Sequence, residues 1–389
     1  MKKLLLVTAI SLVCFKTAAE MTFDTAAGQY KLYGDVEFDL DAASSSMPLD
    51  YSRRSEYDND RWDAGGRILL GLDGRRELAS GNFAGFRVQP LATMHDGMSL
   101  DDAVFYFGQK DGDKNTWSTS IGRFEAYDMF PLNQDTFIQY SGNTANDLYK
   151  DGFGYIYMMK EGRGRSNSGG NIMLNKTIDN LYFELNALLE DGVRLFGDES
   201  YHNQNLTRKK NTIYLRPVIA WHGSNFSTAV ASENNIINNA YGHQDENGKF
   251  KDLSRRNGFG WTTTLRADND ITANINVAWM NAQDEKDFTA AANILWDKFE
   301  VGYIYAHNKI EKFYTATVNG DDFINSSGKY NINTIHASYR FDNILDMDNF
   351  NIYLGSYWSQ IKRDSGDLYN GDDNSDNRYG VRVRFKYFF

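Results

Sequence analysis

The chain ends in the residues Tyr379-Gly380-Val381-Arg382-Val383-Arg384-Phe385-Lys386-Tyr387-Phe388-Phe389. From Tyr379 onward every second residue is apolar, and the residues between them are mostly basic. Because successive side chains of a β-strand point to opposite faces, this pattern predicts a strand with one apolar and one charged face. The residues from Gln29 to Asp41 alternate in the same way, and further alternating segments follow along most of the chain. We therefore expect an all-β fold.

The composition excludes several classes of protein. The 389 residues carry a formal net charge of −11 with no basic block, so the chain is not expected to bind nucleic acid, which needs clustered lysine and arginine. Aromatic residues make up 14%, which argues against a disordered chain. No apolar stretch approaches the roughly 20 residues that a membrane-spanning helix needs.

The N-terminus has the features of an export signal. Lys2 and Lys3 precede the apolar run Leu4–Phe15, and small residues follow it. This order is typical of a secretory signal peptide rather than a membrane helix, because the apolar run is too short to span a bilayer. The sequence therefore predicts a signal peptide over residues 1–19 and a single domain over residues 20–389.

The sequence contains no motif typical of a metal site, a cofactor site or a disulfide framework. Cys14 is the only cysteine and lies in the predicted signal peptide, so the mature chain is expected to have no disulfide. The six histidines form no metal-binding motif, and no cofactor is expected. His336 and Ser338 share a strand face and weakly resemble a base and a nucleophile, but no third group accompanies them. We expect no enzyme and no catalytic residue.

Two all-β architectures fit the alternation, a soluble sandwich and a transmembrane antiparallel β-barrel. In the sandwich the apolar face packs inward, whereas in the barrel it meets lipid and the charged face lines a lumen. Three features favour the barrel: short turns alternate with long polar loops, aromatic residues concentrate near segment ends, and the chain ends in aromatic residues. Together with the export signal, they predict a barrel in a bacterial outer membrane.

The number of strands follows from counting alternating segments. Seventeen are recognisable, including one at residues 151–160, but a bacterial single-chain barrel normally has an even number. The directions of the neighbouring turns indicate a missing strand between residues 124 and 150, for which Thr136–Ser141 is the candidate. We expect about eighteen strands, and sixteen if a weak strand is dropped.

The segment Gly122–Tyr140 is the most informative for function, because it begins the third external loop, which a barrel can fold into its own lumen. Aromatic rings stack on the apolar faces of sugars, while charged groups hydrogen-bond the hydroxyls. The alternative is a constriction loop whose aromatic rings merely pack against the wall. The candidate substrate-binding residues in this segment are Arg123, Phe124, Glu125, Tyr127, Asp128, Phe130, Asp135 and Phe137.

Alternation also places residues of the wall in the lumen. Tyr33 on the first strand and Phe388 at the penultimate position are the aromatic candidates, and Arg382 and Arg384 are candidate pore-lining cations. The other inward charges are Arg67, Arg87, Arg216, Arg266, Lys386, Asp35, Glu37 and Asp39. The glycine-rich stretch Gly162–Gly170 lacks the features of a phosphate loop and predicts a flexible surface loop.

Several motifs together indicate a family. They are Leu32-Tyr33-Gly34-Asp35, Gly122-Arg123-Phe124-Glu125-Ala126-Tyr127-Asp128-Met129-Phe130-Pro131-Leu132, Tyr214-Leu215-Arg216-Pro217-Val218 and the terminal Tyr387-Phe388-Phe389. With the signal peptide, they resemble the raffinose-type glycoporins, carbohydrate-specific outer-membrane porins that are similar to the maltoporin and sucrose porin families. The resemblance implies a homotrimer, passive uptake of oligosaccharides, and a series of pore aromatics that includes Tyr33 and Phe388.

The sequence thus predicts an outer-membrane channel with a preference for oligosaccharides, which pass an aromatic and charged pore. A general diffusion porin for small hydrophilic solutes and ions is the alternative, with the same loop acting as a size filter. Besides oligosaccharides, the expected partners are outer-membrane lipid and lipopolysaccharide.

Overall fold

A computed structural model describes most of the chain. The described residues are 20–44, 61–112, 114–134, 156–165, 168–196, 200–201, 204–245, 247–267, 270–311, 317–318, 321–322, 327–364 and 375–389. The signal peptide expected at residues 1–19 and the strand expected at Thr136–Ser141 lie outside these residues.

Seventeen strands form one antiparallel sheet. They are β1 (Met21–Thr25), β2 (Gly28–Ala43), β3 (Arg61–Glu77), β4 (Asn82–Thr93), β5 (Gly97–Asp111), β6 (Asn115–Arg123), β7 (Gly170–Ile178), β8 (Leu181–Glu190), β9 (Thr212–His222), β10 (Phe226–Asn235), β11 (Arg256–Ala267), β12 (Ile271–Ala282), β13 (Glu285–Trp296), β14 (Phe299–Ile310), β15 (Gly328–Phe341), β16 (Phe350–Arg363) and β17 (Ser375–Phe388).

The sheet closes into a barrel of sixteen strands. Each strand from β2 to β17 pairs with the next, and β17 pairs back onto β2. The short β1 is an extra strand, which pairs only with the first residues of β2, from Gly28 to Leu32. Closure leaves the wall without a free edge, which a sheet in lipid requires. The all-β barrel is confirmed, with the alternative count of sixteen.

The expected count of eighteen is wrong because β6 pairs directly with β7. Residues Asn115–Gly122 face residues Asn171–Ile178, and the other edges of the two strands are occupied by β5 and β8. The described residues between the two strands, 124–134 and 156–165, supply no strand of the wall. Residues 156–160, expected to be part of a strand, have no regular secondary structure.

Short turns join the strands at one end of the barrel and most long connections lie at the other, as the sequence predicts. The outward faces of the strands carry exposed apolar side chains, among them Leu40, Leu70, Phe105 and Ile294, which contact lipid in a membrane. None of the helices in the described part of the chain is long and apolar enough to cross a membrane.

The seam between β2 and β17 is held on its inner face by a ladder of three ion pairs. Residues Asp41 and Arg382, Asp39 and Arg384, and Glu37 and Lys386 stand directly opposite each other. Their nitrogen–oxygen distances are 2.7, 2.9 and 2.8 Å. Cross-strand pairs of opposite charge stabilise the two strands together, and a slip by one residue would separate the pairs onto opposite faces.

The outer face of the same seam ends in an aromatic contact. Gly34 and Phe389 exchange two backbone hydrogen bonds of 2.8 and 3.0 Å. A Cβ atom on Gly34 would lie 2.3 Å from the carbonyl oxygen of Leu69 and 2.7 Å from the Phe389 ring. The glycine therefore lets the terminal ring lie against the wall.

Replacing Gly34 with alanine is expected to lower the free energy of unfolding by about 1 to 3 kcal/mol, because the added methyl group overpacks the seam. Urea unfolding in detergent, followed by the migration of the folded barrel on gels, measures this loss. Gly65→Ala is the matched control, since a Cβ atom there meets nothing within 4 Å. Equal stability of the two variants would contradict the role of the seam.

Candidate functional site

The connection between β6 and β7 folds into the barrel. We call its described residues, 124–134 and 156–165, the inner loop. Its side chains Phe130, Ile156 and Met158 are each about 1% exposed although they lie on no strand. They pack against inward residues of the wall such as Ile304 and Ile332. An inward-folded third loop was expected from the sequence, and the structure has it.

A second apolar contact attaches the inner loop to the neighbouring part of the wall. Met129 and Met159 belong to a buried cluster with Val218 and Ala231. Gly260 faces both methionines, and a Cβ atom there would lie 2.3 Å from the Met159 sulfur. The inner faces of β9–β12 therefore serve as packing surface for the loop rather than as pore lining.

Buried charged groups fix the loop above this contact. Glu161 of the loop pairs with Arg256 of β11 at 2.5 Å, and the arginine is 1% exposed. The Tyr157 hydroxyl donates to Glu233 at 2.5 Å, and the backbone N–H of Gly162 donates to the same carboxylate at 2.9 Å. Burial raises the pKa of Tyr157 well above its ordinary value, so the phenol keeps the proton that it donates.

The loop also reaches the end of the barrel that carries the short turns. The backbone N–H of Gln134 donates to Glu300 at 2.8 Å, and its side-chain amide donates to the carbonyl of Lys298 at 2.9 Å. Ser338 donates to the Gln134 side chain at 3.2 Å. The hydroxyl of Ser338 is thus occupied in holding the loop.

On its other side the inner loop is joined to the wall by ion pairs. Arg87 of β4 bonds Asp73 at 3.0 Å and lies 3.7 Å from Asp102 of β5. Asp102 in turn pairs with Arg165 of the loop at 3.0 Å. Arg165 also lies 3.1 Å from Asp101. The chain of charges crosses from the wall to the loop.

Within the loop the ion pairs continue through two acidic residues. Arg163 lies 3.1 Å from Glu125 and 3.6 Å from Asp128, and Arg165 lies 3.9 Å from Glu125. Burial alone would raise the pKa of both carboxyl groups, but Arg163 and its neighbouring cations hold each below its ordinary value. Both acids are therefore charged at neutral pH.

Charged side chains stay partly exposed on this edge of the loop and on the wall of β3. The side chain of Glu125 is 34% exposed on the loop, and that of Arg67 is 34% exposed on the wall. Arg67 lies 3.3 Å from Asp35, next to the ion-pair ladder. Glu125 on the loop and Arg67 on the wall are therefore the partly exposed charges of the candidate constriction.

The two aromatic candidates of the wall lie on neighbouring strands at the end with the short turns. Phe388 stands opposite Asp35 on the inner face, two residues along β2 from Tyr33. The Tyr33 hydroxyl donates to Asp73 at 3.0 Å and accepts from Gln89 at 2.9 Å. Its ring covers Gly71, where a Cβ atom would lie 2.3 Å away.

The candidates of the inner loop occupy different surroundings. Phe124 is 5% exposed and packs with Val104 and Met173, and Phe130 lies in the apolar contact described above. Arg123 bonds the carbonyls of Leu100 and Arg165 at 2.7 and 2.6 Å. These three residues hold the loop in place, as in the alternative interpretation of the segment. Asp135 and Phe137 lie outside the described residues.

Tyr127 keeps part of its ring exposed. It stacks on Tyr182 with centroids 5.7 Å apart and lies 5.9 Å from the ring of His222. Burial, together with Asp128 and Glu184, raises the pKa of Tyr127 to about 12, so its hydroxyl remains neutral. The sequence did not single out Tyr182 or His222, although both lie at inward positions.

The inward cations have unequal roles. Arg382 and Arg384 point inward and belong to the ladder, and Arg384 is only 9% exposed. Arg216 also points inward but is 0% exposed beneath the loop, where it donates to the carbonyl of Tyr127 at 2.9 Å. The surface loop expected at Gly162–Gly170 is wrong for its first part, since Arg163 and Arg165 lie inside the barrel.

Comparison with known families gives one match. A family model described as porin-like glycoporin RafY matches residues 32–389. No curated protein sequence matches the chain significantly.

Solved structures share the fold. OmpF of Salmonella typhi in complex with daunomycin aligns with a TM-score of 0.57 at 11% identity, over 94% of this chain and 100% of that chain. OprB of Pseudomonas putida aligns at 0.56 and 10% identity, over 93% and 94%. An anion-selective porin from Comamonas acidovorans aligns at 0.54 and 14% identity, over 92% and 99%.

Arg165→Gln is expected to weaken the attachment of the loop edge by about 1 to 3 kcal/mol, because three carboxylates lose their shared cation. In planar bilayers the variant should show a larger, noisier and more cation-selective conductance. Arg340→Gln removes the same charge near the short turns, where Arg340 pairs with Asp342, and serves as the control. Unchanged noise and selectivity in Arg165→Gln would contradict the ionic attachment.

The lowered pKa values of Glu125 and Asp128 predict how the constriction responds to acid. A carboxyl group whose pKa is depressed in the folded protein contributes its full stabilisation when the pH is above its ordinary pKa. This stabilisation is lost as the pH falls through the depressed pKa. Conductance noise should therefore stay constant down to the ordinary glutamate value of 4.5 and rise only below it. In Arg163→Gln the rise should begin at higher pH. A rise at the same pH in both proteins would refute this assignment.

Proposed function

The chain belongs to the porin-like glycoporin family and forms an outer-membrane porin channel, and from this premise we propose that it admits oligosaccharides by passive, substrate-preferring diffusion. The observation that supports the proposal is that Tyr33 and Phe388 occupy neighbouring inward positions on β2 and β17, beside the charges of the ladder. Aromatic faces and charged edges together match the two surfaces of a sugar ring.

The proposed route of the sugar is the space between the inner loop and the wall of the barrel. The solute passes between the loop edge at Glu125 and Asp128 and the wall that carries Arg382 and Arg384. Its hydroxyl groups exchange hydrogen bonds with charged side chains that already have partners, so no single contact is strong. Weak binding at several sites allows both entry and release.

A general diffusion porin is the second candidate, and one observation favours it. The charges of the ladder neutralise each other across the seam at 2.7 to 2.9 Å, so they need no solute as a partner. In that case the inner loop acts only as a size filter, and the channel passes small hydrophilic solutes and ions without saturation.

The proposal includes the cellular context of the channel. Residues 1–19 are removed on export, and the barrel lies in outer-membrane lipid and lipopolysaccharide. It assembles as a homotrimer. Trp62, Met98 and Leu100 expose apolar side chains at the rim of β3–β5, and an exposed apolar patch of this kind suits a contact between subunits.

Raffinose, sucrose and maltodextrins are expected to reduce the single-channel conductance with saturation. Phe388→Ala and Tyr33→Ala should raise the half-blocking concentration about 3-fold to 10-fold, the value of one aromatic contact. Phe385→Ala, on the outward face of the same strand as Phe388, should leave the block unchanged. Conductance that does not respond to any sugar would establish the general porin instead.

A further inference from the structure

The outer face of the barrel carries three lysines in one row. Lys286 of β13 stands directly opposite Lys309 of β14, and Lys309 stands directly opposite Lys329 of β15. Their strand neighbours Glu285, Ile310 and Tyr330 are buried and point inward, so the three side chains, here called the lysine row, point outward. The row lies at the end of the barrel with the long connections.

Like charges directly opposite each other destabilise a sheet unless an anion lies between them. Lys309 pairs with Glu311 at 2.8 Å. Neither Lys286 nor Lys329 makes an ion pair with any other described residue. Among the described residues, Glu311 is thus the one carboxylate that forms an ion pair with the three lysines.

More cations extend the row along the same rim. Arg255, next to the start of β11, and Lys362, on β16, are both exposed. Arg255 and Lys286 line a cavity of about 230 Å³, together with Asp284 and Glu311. Asp284 is engaged by Lys251. Cations thus occupy the rim from β11 to β16, in contrast to the apolar rim of β3–β5.

The residues below the lysine row follow a definite order. Phe288 and His307 stand opposite each other two residues further down, and the ring of Tyr305 lies 6.5 Å from that of Phe288. The aliphatic side chains of Ile335 and Val301 follow, and both are exposed. From the rim toward the middle of the membrane, the surface is cationic, then aromatic, then aliphatic.

We propose that the lysine row and Arg255 bind the phosphate groups of the phosphorylated glycolipid of the outer leaflet, lipopolysaccharide. Its phosphate groups form ion pairs with the lysines, its sugars contact the aromatic residues, and its acyl chains pack against the aliphatic residues. The site marks the sector β11–β16 as facing lipid, and leaves the rim of β3–β5 for subunit contacts. This inference rests on the proposed membrane context of the channel and is independent of its preference for sugars.

The test compares two triple variants of the full-length protein in detergent. Lys286→Gln, Lys309→Gln and Lys329→Gln together remove the row. Lys114→Gln, Lys176→Gln and Lys298→Gln remove the same charge near the short turns. Each lysine near an anionic lipid surface contributes about a fivefold change in affinity, so the first variant should bind bisphosphorylated lipid A on the order of a hundredfold more weakly. The second variant should bind as the unaltered protein does.

Three controls make the result decisive. Folding of both variants is checked by gel migration of the unheated barrel and by the single-channel conductance, which the row should not affect. Dephosphorylated lipid A should bind the unaltered protein and the row variant equally. Binding should also persist in EDTA, because lysine contacts phosphate directly without a bridging divalent cation.

Equal affinity of both variants for bisphosphorylated lipid A would overturn the proposal. So would a loss of affinity in EDTA that the lysine substitutions do not produce, since Asp284 and Glu311 would then act through a metal ion. Loss of the trimer with unchanged lipid affinity would assign the row to a subunit interface instead.

Discussion

The structure depends on one constraint, which is that every backbone N–H and C=O group of a wall in lipid must have a partner within the wall. An open sheet would leave two edges, so β2 and β17 must meet, and the ladder from Asp41–Arg382 to Glu37–Lys386 makes them meet in one register. The same constraint bears on the connection between β6 and β7. Because these two strands pair with each other, they leave no free edge between them, and the described residues of the connection pack inside the barrel.

The inner loop divides the interior into two parts that differ in packing and in the surroundings of their charged side chains. Beneath the loop, Arg216 and Arg256 are removed from water, which is tolerable only because carboxylates and carbonyls surround them. There the barrel interior resembles the core of a soluble protein, with methionine and isoleucine packed against the wall. Along β17, β2 and β3 the charged side chains pair with one another, and Arg67 keeps about a third of its side chain exposed. In the proposed route, a solute passes along this second part.

Alternation along the chain predicted the class of fold, the closing strand and the inward positions of Tyr33 and Phe388, because a strand converts sequence parity directly into a face. Alternation failed as a predictor for the inner loop, where both faces of the segment are buried. Ile156 and Met158 alternate as a strand would, yet they lie inside the barrel and touch wall residues. Each of Arg163 and Arg165 follows a glycine, so the sequence predicts that both are solvent-exposed. Their partners Glu125 and Asp102 are distant in sequence, and nothing local indicates the ion pairs. Contacts that depend on where a loop folds leave no local signal.

The placement of β1 has a consequence for the connectivity of the chain. Met21 stands opposite Leu32, and Phe389 is hydrogen-bonded to Gly34, so β17 and β1 occupy the same edge of β2 one after the other. Both run in the same direction, antiparallel to β2. The strand position beside β2 is therefore filled by two segments that are far apart in sequence. In space, a gap of about one residue separates them. A circular permutation that joins Phe389 to Glu20 would therefore need almost no added linker.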